Sequence, residues 1–147
     1  MKRKGILVLL AIIFIFSGCS KQEEIFYLDD KYYGANEYIE ASRDDIENNS
    51  GNYLLFIYNS TCGMGVSCEE IFQDFMAKYN VSIVSISFLD FKETYLYEEV
   101  KYAPSVLVIK NKKVVAYLDA NKDEDLDKYQ DVEKFKEWIK QYIFIEK

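Results

Sequence analysis

An uninterrupted apolar segment, Tyr53–Tyr58, is the clearest feature of the hydrophobic pattern. Polar residues do not alternate with the apolar ones, and the segment therefore predicts a central strand covered on both faces. A helix is predicted between Cys68 and Tyr79, because apolar residues there recur with the helical period. They are Ile71, Phe72, Phe75, Met76 and Tyr79. A polar segment that begins after Tyr58 and contains Cys62 separates the strand from the helix.

Downstream of this helix the pattern predicts a strand and then a β-hairpin. Residues 81–88 alternate between apolar and polar over their second half, as a half-buried strand does. The single proline, Pro104, heads the next apolar run, where it removes no hydrogen bond from the centre of a ladder. Asn111 and Lys112 predict a tight turn between that run and residues 114–118.

Helices are predicted on both sides of the hairpin. The first covers residues 92–101. Its apolar contacts are Tyr95, Leu96 and Val100. The segment 119–130 is rich in acidic residues and predicts a solvated loop. Asp131 follows it and is the predicted cap of the last helix. The apolar residues of that helix also recur at helical spacing. They are Val132, Phe135, Trp138, Ile139, Tyr142 and Ile143.

The segment before the central strand predicts smaller elements. Residues 25–28 are a candidate first edge strand, and residues 35–40 are a candidate second strand. Ser42, with two acidic residues in the turn after it, predicts the N-cap of a short helix that stops near residues 49–51.

These elements together predict an α/β fold with a central mixed sheet of four to five strands flanked by helices. The strand–helix–strand order implies a right-handed parallel crossover, and the hairpin adds antiparallel strands. We expect a single domain over residues 35–147, preceded by a tether and first edge segment at residues 19–34.

The composition narrows the chemistry. Of the 147 residues, 50% are apolar, which is enough for a well-packed core. Histidine is absent, so this chain cannot build a Cys-His dyad, a Ser-His-Asp triad or a metal site with histidine ligands. Asp119, Asn121 and Asp123 have the spacing of a calcium loop, but Glu124 and Gln130 stand where its glycine and glutamate belong. We therefore expect no metal and no other cofactor.

The N-terminus has the pattern of an export signal. Residues 2–4 are basic, and residues 5–16 form an apolar run too short to span a bilayer comfortably. The tripeptide Ser17-Gly18-Cys19 follows, and small residues before a cysteine resemble the lipobox of bacterial lipoproteins. The resemblance implies cleavage before Cys19, a diacylglycerol on its sulfur, and a lipid anchor on the extracytoplasmic side of the cell membrane. An ordinary signal peptide or a short anchor is the alternative.

The mature chain predicted in this way is acidic. Removal of residues 1–18 takes away three basic residues and leaves 15 basic and 25 acidic residues, a net charge of −10. This charge argues against nucleic acid as a partner, because phosphate binding needs basic clusters. It also argues against an electrostatic contact with the membrane, so that the lipid on Cys19 is the expected sole anchor.

With one cysteine assigned to the lipid, Cys62 and Cys68 remain as a pair in a compartment where disulfides persist. A helix starting at Gly63 would hold them about 9 Å apart along its axis, too far for the Cα separation of about 4.4–6.8 Å that a disulfide needs. However, Ser67-Cys68-Glu69-Glu70 has the pattern of a capping box, which would start the helix at Cys68. Residues 63–66 would then form a loop that folds back.

The order of elements and three local features resemble the thioredoxin-like family. Cys62 follows a buried strand, as the first active-site cysteine of that family does. Ala103-Pro104 precedes a β-hairpin, at the place where the family has its cis-proline beside the active-site sulfur. An amphipathic helix ends the domain, and the resemblance covers residues 35–147.

The resemblance implies thiol–disulfide exchange, with Cys62 as the attacking nucleophile and Cys68 as the resolving partner. Ala103 and a cis Pro104 would hold the substrate backbone near the sulfur, and Tyr58 and Tyr102 would line that surface. A helix N-terminus by itself favours Cys68 as the thiolate, and the adjacent acidic residues oppose this. A plain proline at the start of a strand is the alternative for Pro104.

The sequence departs from the family at three positions. The usual Cys-x-x-Cys spacing is widened to five intervening residues, and Gly65 stands where the resolving cysteine is expected. Thr61 replaces the tryptophan that is common before the first cysteine. Phe56 stands where the preceding strand of the family carries a buried acid.

The expected function is therefore thiol–disulfide exchange on the thiols and disulfides of exported proteins. A non-catalytic thioredoxin-fold binding module, in which Cys62 and Cys68 form a structural disulfide, is the main alternative. A protein that senses peroxides or thiols without turnover is a third.

Overall fold

The computed structural model describes residues 24–59 and 68–146. Within these residues the chain forms five strands, four helices and three short 3₁₀ turns. The strands are β1 (Tyr38–Glu40), β2 (Tyr53–Tyr58), β3 (Ile83–Ser87), β4 (Ser105–Lys110) and β5 (Lys113–Asp119). The helices are α1 (Arg43–Asn48), α2 (Cys68–Tyr79), α3 (Phe88–Phe91) and α4 (Val132–Ile139).

The five strands form one mixed sheet in the order β1-β3-β2-β4-β5. Strands β1, β3 and β2 run parallel, whereas β4 is antiparallel to both β2 and β5. This arrangement confirms the predicted α/β class with a central mixed sheet and flanking helices.

Strand β2 lies at the centre of the sheet and is buried on both faces, as its continuous apolar sequence predicts. Its first five residues are almost completely removed from solvent. Successive side chains point to opposite faces. On one face Phe56 meets Phe72 of α2, with ring centroids 5.1 Å apart, and on the other Tyr53 lies 6.0 Å from Tyr32.

Helices α2 and α4 pack together through aromatic rings. The ring centroid of Phe135 on α4 lies 4.6 Å from that of Phe72 and 4.9 Å from that of Phe75, both on α2. Asp131 caps α4, because its carboxylate accepts the N–H groups of Glu133 and Lys134 at 2.8 and 3.0 Å. The helical spacing in the sequence therefore corresponds to one packed interface.

The turn residues also behave as the sequence predicts. Ser42 forms a capping box with Asp45 at the start of α1. Asn80 has a φ of 55° directly after α2, which is the left-handed conformation that ends many helices. Asn111 and Lys112, with φ values of 50° and 66°, form the tight turn between β4 and β5.

The prediction of a helix over residues 92–101 is wrong. The helical turn begins earlier, at Phe88, because Ser87 ends β3 and its hydroxyl accepts the N–H of Asp90 at 3.2 Å. Residues 95–98 form only a 3₁₀ turn. The predicted contacts Leu96 and Val100 are nevertheless buried.

The edge strand predicted at residues 25–28 is reduced to a single bridge. Phe26 pairs with Ile143 outside the main sheet. Its N–H donates to the carbonyl of Tyr142 at 3.0 Å, and its carbonyl accepts the N–H of Phe144 at 2.9 Å. Phe26 and Leu28 are buried, so this segment contributes to the core although it adds no strand to the sheet.

The buried tyrosines predict alkaline instability. Burial raises the pKa of Tyr38, Tyr53, Tyr95 and Tyr129 in the folded protein, whereas tyrosine in an unfolded chain ionises near pH 10. Above about pH 10 the unfolded chain loses protons that the folded protein keeps, so the free energy of unfolding must fall as the pH rises.

Urea unfolding at about pH 8 and about pH 11 tests this expectation. We expect a lower midpoint at the higher pH, with tyrosinate absorbance from these side chains appearing together with the loss of structure. Complete ionisation of the tyrosines near pH 10 in a protein that keeps its native circular dichroism would contradict it.

Candidate functional site

Cys68 is the first residue of α2 and is only 2% exposed. Its sulfur is thus held inside the domain, on the same side of α2 as Phe72 one turn later. The other two cysteines, Cys62 and Cys19, lie outside the described residues, as does the predicted capping residue Ser67. The predicted pairing of Cys62 with Cys68 and the predicted lipid on Cys19 therefore remain predictions.

The Ala103–Pro104 peptide bond is cis, as predicted. Pro104 directly precedes β4, whose first residue, Ser105, is paired with Ile57 of β2. One step further along this antiparallel register brings Pro104 opposite Tyr58, the last residue of β2. Two of the predicted substrate-binding positions are therefore neighbours at one edge of the sheet, four residues before Cys62.

The bend before β4 is held by a hydrogen bond. The hydroxyl of Ser105 donates to the carbonyl of Tyr102 at 2.7 Å. Ala103 and Pro104 are half-buried, whereas Tyr102 is 58% exposed. Tyr102 is therefore the most exposed of the three residues around the cis peptide bond.

Tyr129 corrects the prediction that residues 119–130 form a solvated loop. Its side chain is fully buried. Its hydroxyl lies 2.8 Å from the carbonyl oxygen of Leu118 and 3.3 Å from that of Pro104. A tyrosine in an otherwise acidic segment is the signal that sequence reasoning missed, since its ring needs an apolar contact and its hydroxyl a polar one.

Tyr129 also connects the cis peptide to the buried cysteine. Its ring lies 5.8 Å from that of Phe72 on α2. Burial raises the pKa of Tyr129 well above its ordinary value, and the negative charge that Cys68 can carry adds to the effect. Tyr129 thus contacts Pro104 directly and packs against the helix that begins at Cys68.

The acidic loop, residues 119–125, is hydrogen-bonded internally and to Pro104. Asp119 is nearly buried, and its carboxylate accepts both the backbone N–H and the side-chain amide of Asn121, at 2.9 and 3.0 Å. The N–H of Asp119 donates to the carboxylate of Asp125 at 3.1 Å, and the N–H of Ala120 reaches the carbonyl of Pro104 at 3.4 Å. These bonds fix the loop against the start of β4.

A second polar cluster lies beside Tyr58. The Tyr58 hydroxyl donates to one carboxylate oxygen of Glu40 at 2.7 Å, and the hydroxyl of Ser85 donates to the other at 2.9 Å. The hydrogen bond to Glu40, aided by burial and by other nearby carboxylates, raises the pKa of Tyr58 to about 12. Tyr58 is therefore a neutral donor at any physiological pH.

This cluster borders a recess of about 210 Å³ between the sheet and the first turns of α2. Tyr38 closes one side of the recess, and its hydroxyl donates to the carbonyl of Glu69 at 3.1 Å. Burial raises the pKa of Tyr38, with contributions from the charges of Glu69 and Cys68. Glu40 and Ser85 are not predicted from the sequence, because nothing local in it shows that β1 and β3 bring them together.

Two further observations concern metal ligands and membrane-spanning helices in the part of the chain that the structure describes. No group of three histidine, cysteine, aspartate or glutamate side chains there is arranged to hold a metal ion. No helix there combines the length and the apolar character needed to cross a membrane.

The sheet order, the cis-proline before β4 and the cysteine at the start of α2 define a thioredoxin-like fold. No protein-family model and no curated protein matches the sequence. Among solved structures, a thioredoxin from Nicotiana alata is 19% identical, with a TM-score of 0.43, and the match covers 62% of this chain and 87% of that one. Oxidised thioredoxin from Plasmodium falciparum is 16% identical, with a TM-score of 0.46 and coverages of 67% and 96%. Spinach chloroplast thioredoxin f is 16% identical, with a TM-score of 0.43 and coverages of 66% and 87%. These TM-scores are below 0.5, and the three likenesses support no statement about activity or site residues.

Replacement of Tyr129 by phenylalanine tests the role of its hydroxyl. Tyr129→Phe keeps the ring against Phe72 but removes the buried hydroxyl from the carbonyls of Leu118 and Pro104, and Pro104 keeps only the longer bond from the N–H of Ala120. We expect a loss of about 1–3 kcal/mol in the free energy of unfolding, measured by urea denaturation.

Tyr117→Phe, on half-buried Tyr117 of β5, is the matched control, and we expect it to change stability by less than about 0.5 kcal/mol. Equal stability of Tyr129→Phe and the wild type would show that the hydroxyl is not a structural link.

Proposed function

We propose that this chain is a lipid-anchored, extracytoplasmic thioredoxin-like protein that exchanges disulfides with exported proteins through Cys62 and Cys68. The observation that carries the proposal is the position of Tyr129, whose hydroxyl lies 3.3 Å from the carbonyl oxygen of the cis Pro104 and whose ring packs against Phe72 of α2. The buried Cys68 begins that helix. A cis-proline and a cysteine-bearing helix held by one side chain are suited to receiving a polypeptide disulfide.

The burial of Cys68 supports a division of roles between the two thiols. Cys68 as a residue is only 2% exposed, and a thiol buried in this way does not meet the disulfide of a folded substrate directly. The outer attack is therefore assigned to Cys62, and Cys68 acts as the resolving thiol. This assignment agrees with the roles that the thioredoxin resemblance implies.

In the reductive direction, the thiolate of Cys62 attacks one sulfur of a substrate disulfide. The substrate S–S bond breaks, and the departing substrate thiolate takes a proton from water, while a mixed disulfide joins Cys62 to the substrate. The thiolate of Cys68 then attacks the Cys62 sulfur and releases the second substrate thiolate. The substrate gains two electrons and the Cys62–Cys68 pair loses two; the same steps in reverse oxidise a substrate dithiol.

The surrounding residues position the substrate in this scheme. Tyr102 offers an exposed aromatic surface, and the half-buried Ala103–Pro104 segment offers its backbone beside the sulfur. Tyr58, held neutral by Glu40, presents a ring without adding charge near the reacting thiolates. The edge is therefore suited to an extended, apolar or aromatic polypeptide segment.

A trapping experiment tests the exchange. Cys68→Ser should accumulate mixed disulfides through Cys62, because no resolving thiol remains, and non-reducing electrophoresis with mass spectrometry should identify the trapped exported proteins. The matched control is Cys62→Ser, which should trap far less because Cys68 is buried.

The rival reading, a binding module with a structural disulfide, predicts a different result. In that case neither variant traps partners, and the Cys62–Cys68 reduction potential lies below about −300 mV, as in structural disulfides of secreted proteins. These two results together would contradict the proposal of thiol–disulfide exchange.

The lipid anchor has its own test. Cells that express the full chain are grown with labelled palmitate, and the protein is followed in the membrane fraction. We expect label and membrane association in the wild type and in Cys62→Ser, and loss of both in Cys19→Ser. Unlabelled wild-type protein would refute lipid attachment and leave the exchange proposal to its own experiment.

A further inference from the structure

Three exposed apolar side chains lie together where the described chain begins. Ile25, Tyr27 and Phe144 are 39%, 48% and 42% exposed. The rings of Tyr27 and Phe144 are stacked, with centroids 4.6 Å apart, and Ile25 and Phe144 line one open groove of about 500 Å³. These three residues are called the tether face.

The exposure of the tether face is fixed by backbone pairing. The bridge between Phe26 and Ile143 turns both of these side chains into the core. Because side chains alternate along extended backbone, their neighbours Ile25, Tyr27 and Phe144 must point outward. The hydroxyl of Tyr33 also donates to the carbonyl of Phe144 at 2.7 Å, which holds this segment in place.

Lysines surround the tether face although the chain as a whole is acidic. Lys136 and Lys140 line the same groove as Ile25, with Glu146 as its acidic member. Lys110 lies 4.8 Å from the ring of Phe26, and together with Lys113 it borders the adjoining groove that contains Glu24. Lys136 is also paired with Glu133 and Glu137 on α4.

The position of Cys19 identifies what this face would meet. Cys19 is five residues before Glu24, the first described residue. Five residues span at most about 17 Å when fully extended. A lipid on Cys19 therefore keeps the start of the described chain within about 17 Å of the bilayer surface. The tether face lies at this start, so it is the part of the domain nearest to the bilayer.

We propose that the tether face docks into the interface of an anionic lipid bilayer, with Ile25, Tyr27 and Phe144 inserted at the level of the headgroups. Aromatic rings favour this depth, because one side is apolar and the other is wet. The lysine stems cover apolar surface while their ammonium groups reach lipid phosphates. The inference rests on the proposed lipid attachment of Cys19, and it adds a second membrane contact to that anchor.

Docking in this way sets the direction of the sheet end that carries Tyr58 and Pro104, which is called the thiol edge. The N–H of Asp29 donates to the carbonyl of Asn52 at 2.9 Å, and the side-chain amide of Asn52 donates to the carbonyl of Tyr27 at 3.0 Å. The tether face therefore adjoins the start of β2, whereas Tyr58 ends that strand, about 20 Å away along six residues. The domain would stand on the membrane with its thiol edge outward, toward exported proteins.

Fluorescence quenching by lipids with brominated acyl chains tests the docking. The full-length lipidated protein carries Tyr27→Trp and is reconstituted into phosphatidylglycerol vesicles. The unsubstituted protein, whose single tryptophan is Trp138, supplies the baseline to be subtracted. Leu89→Trp is the matched control, because Leu89 is 72% exposed in α3 at the thiol edge.

We expect brominated lipid to quench the tryptophan at position 27 at least about twofold more than the one at position 89. Replacing Lys110 and Lys140 by glutamate should reduce the difference in phosphatidylglycerol vesicles, but much less in phosphatidylcholine vesicles.

Equal quenching at both positions, or none at position 27, in protein that floats with the vesicles would overturn the docking. A crosslinked dimer through position 27 would assign the face to a second copy of the chain instead, and would also overturn it. Protein that fails to float reports the failure of lipid attachment, which removes the basis of this inference as well.

Discussion

Strand β2 is paired on both edges and buried on both faces, and the site depends on that constraint. A strand covered in this way cannot slip by one residue, because every side chain would exchange faces. The register with β4 therefore fixes Pro104 opposite Tyr58, and the register with β3 fixes Tyr58 beside Ser87. The end of β2 is thus held in a defined position before the segment that carries Cys62 begins.

Tyr129 extends this constraint from the sheet to the helices. Its hydroxyl meets carbonyls that belong to the start of β4 and the end of β5, while its ring rests on Phe72 of α2. Because Cys68 lies one turn before Phe72, a movement of the cysteine along α2 would disturb the same tyrosine that holds Pro104. A single buried side chain, that of Tyr129, therefore contacts both the start of β4 and the helix that begins at Cys68.

The sequence predicted those parts of the fold in which local pattern and tertiary environment agree. The continuous apolar run gave β2 with its observed bounds, and Ser42, Asp131 and the Asn111-Lys112 turn acted as their local chemistry predicts. The prediction failed where a cap overrode periodicity, since Ser87 starts a helical turn before residue 92. It also failed at Tyr129 and Glu40, whose partners lie on elements far away in the chain, and single-sequence patterns carry no information about such contacts.

The uneven distribution of charge over the acidic domain favours one orientation of the domain relative to a bilayer. Electrostatic forces in physiological salt decay over about 8 Å, which is less than half the length of β2. A bilayer that held the chain through Cys19 would therefore act mainly on the charges around Ile25 and Phe144, where lysines and acids are mixed, while the acids near Asp119 and Asp125 are screened. The net charge of the chain then matters less than where each charge lies relative to the anchor. An acidic protein can thus rest on an anionic surface at one end and keep its thiol edge in solution at the other.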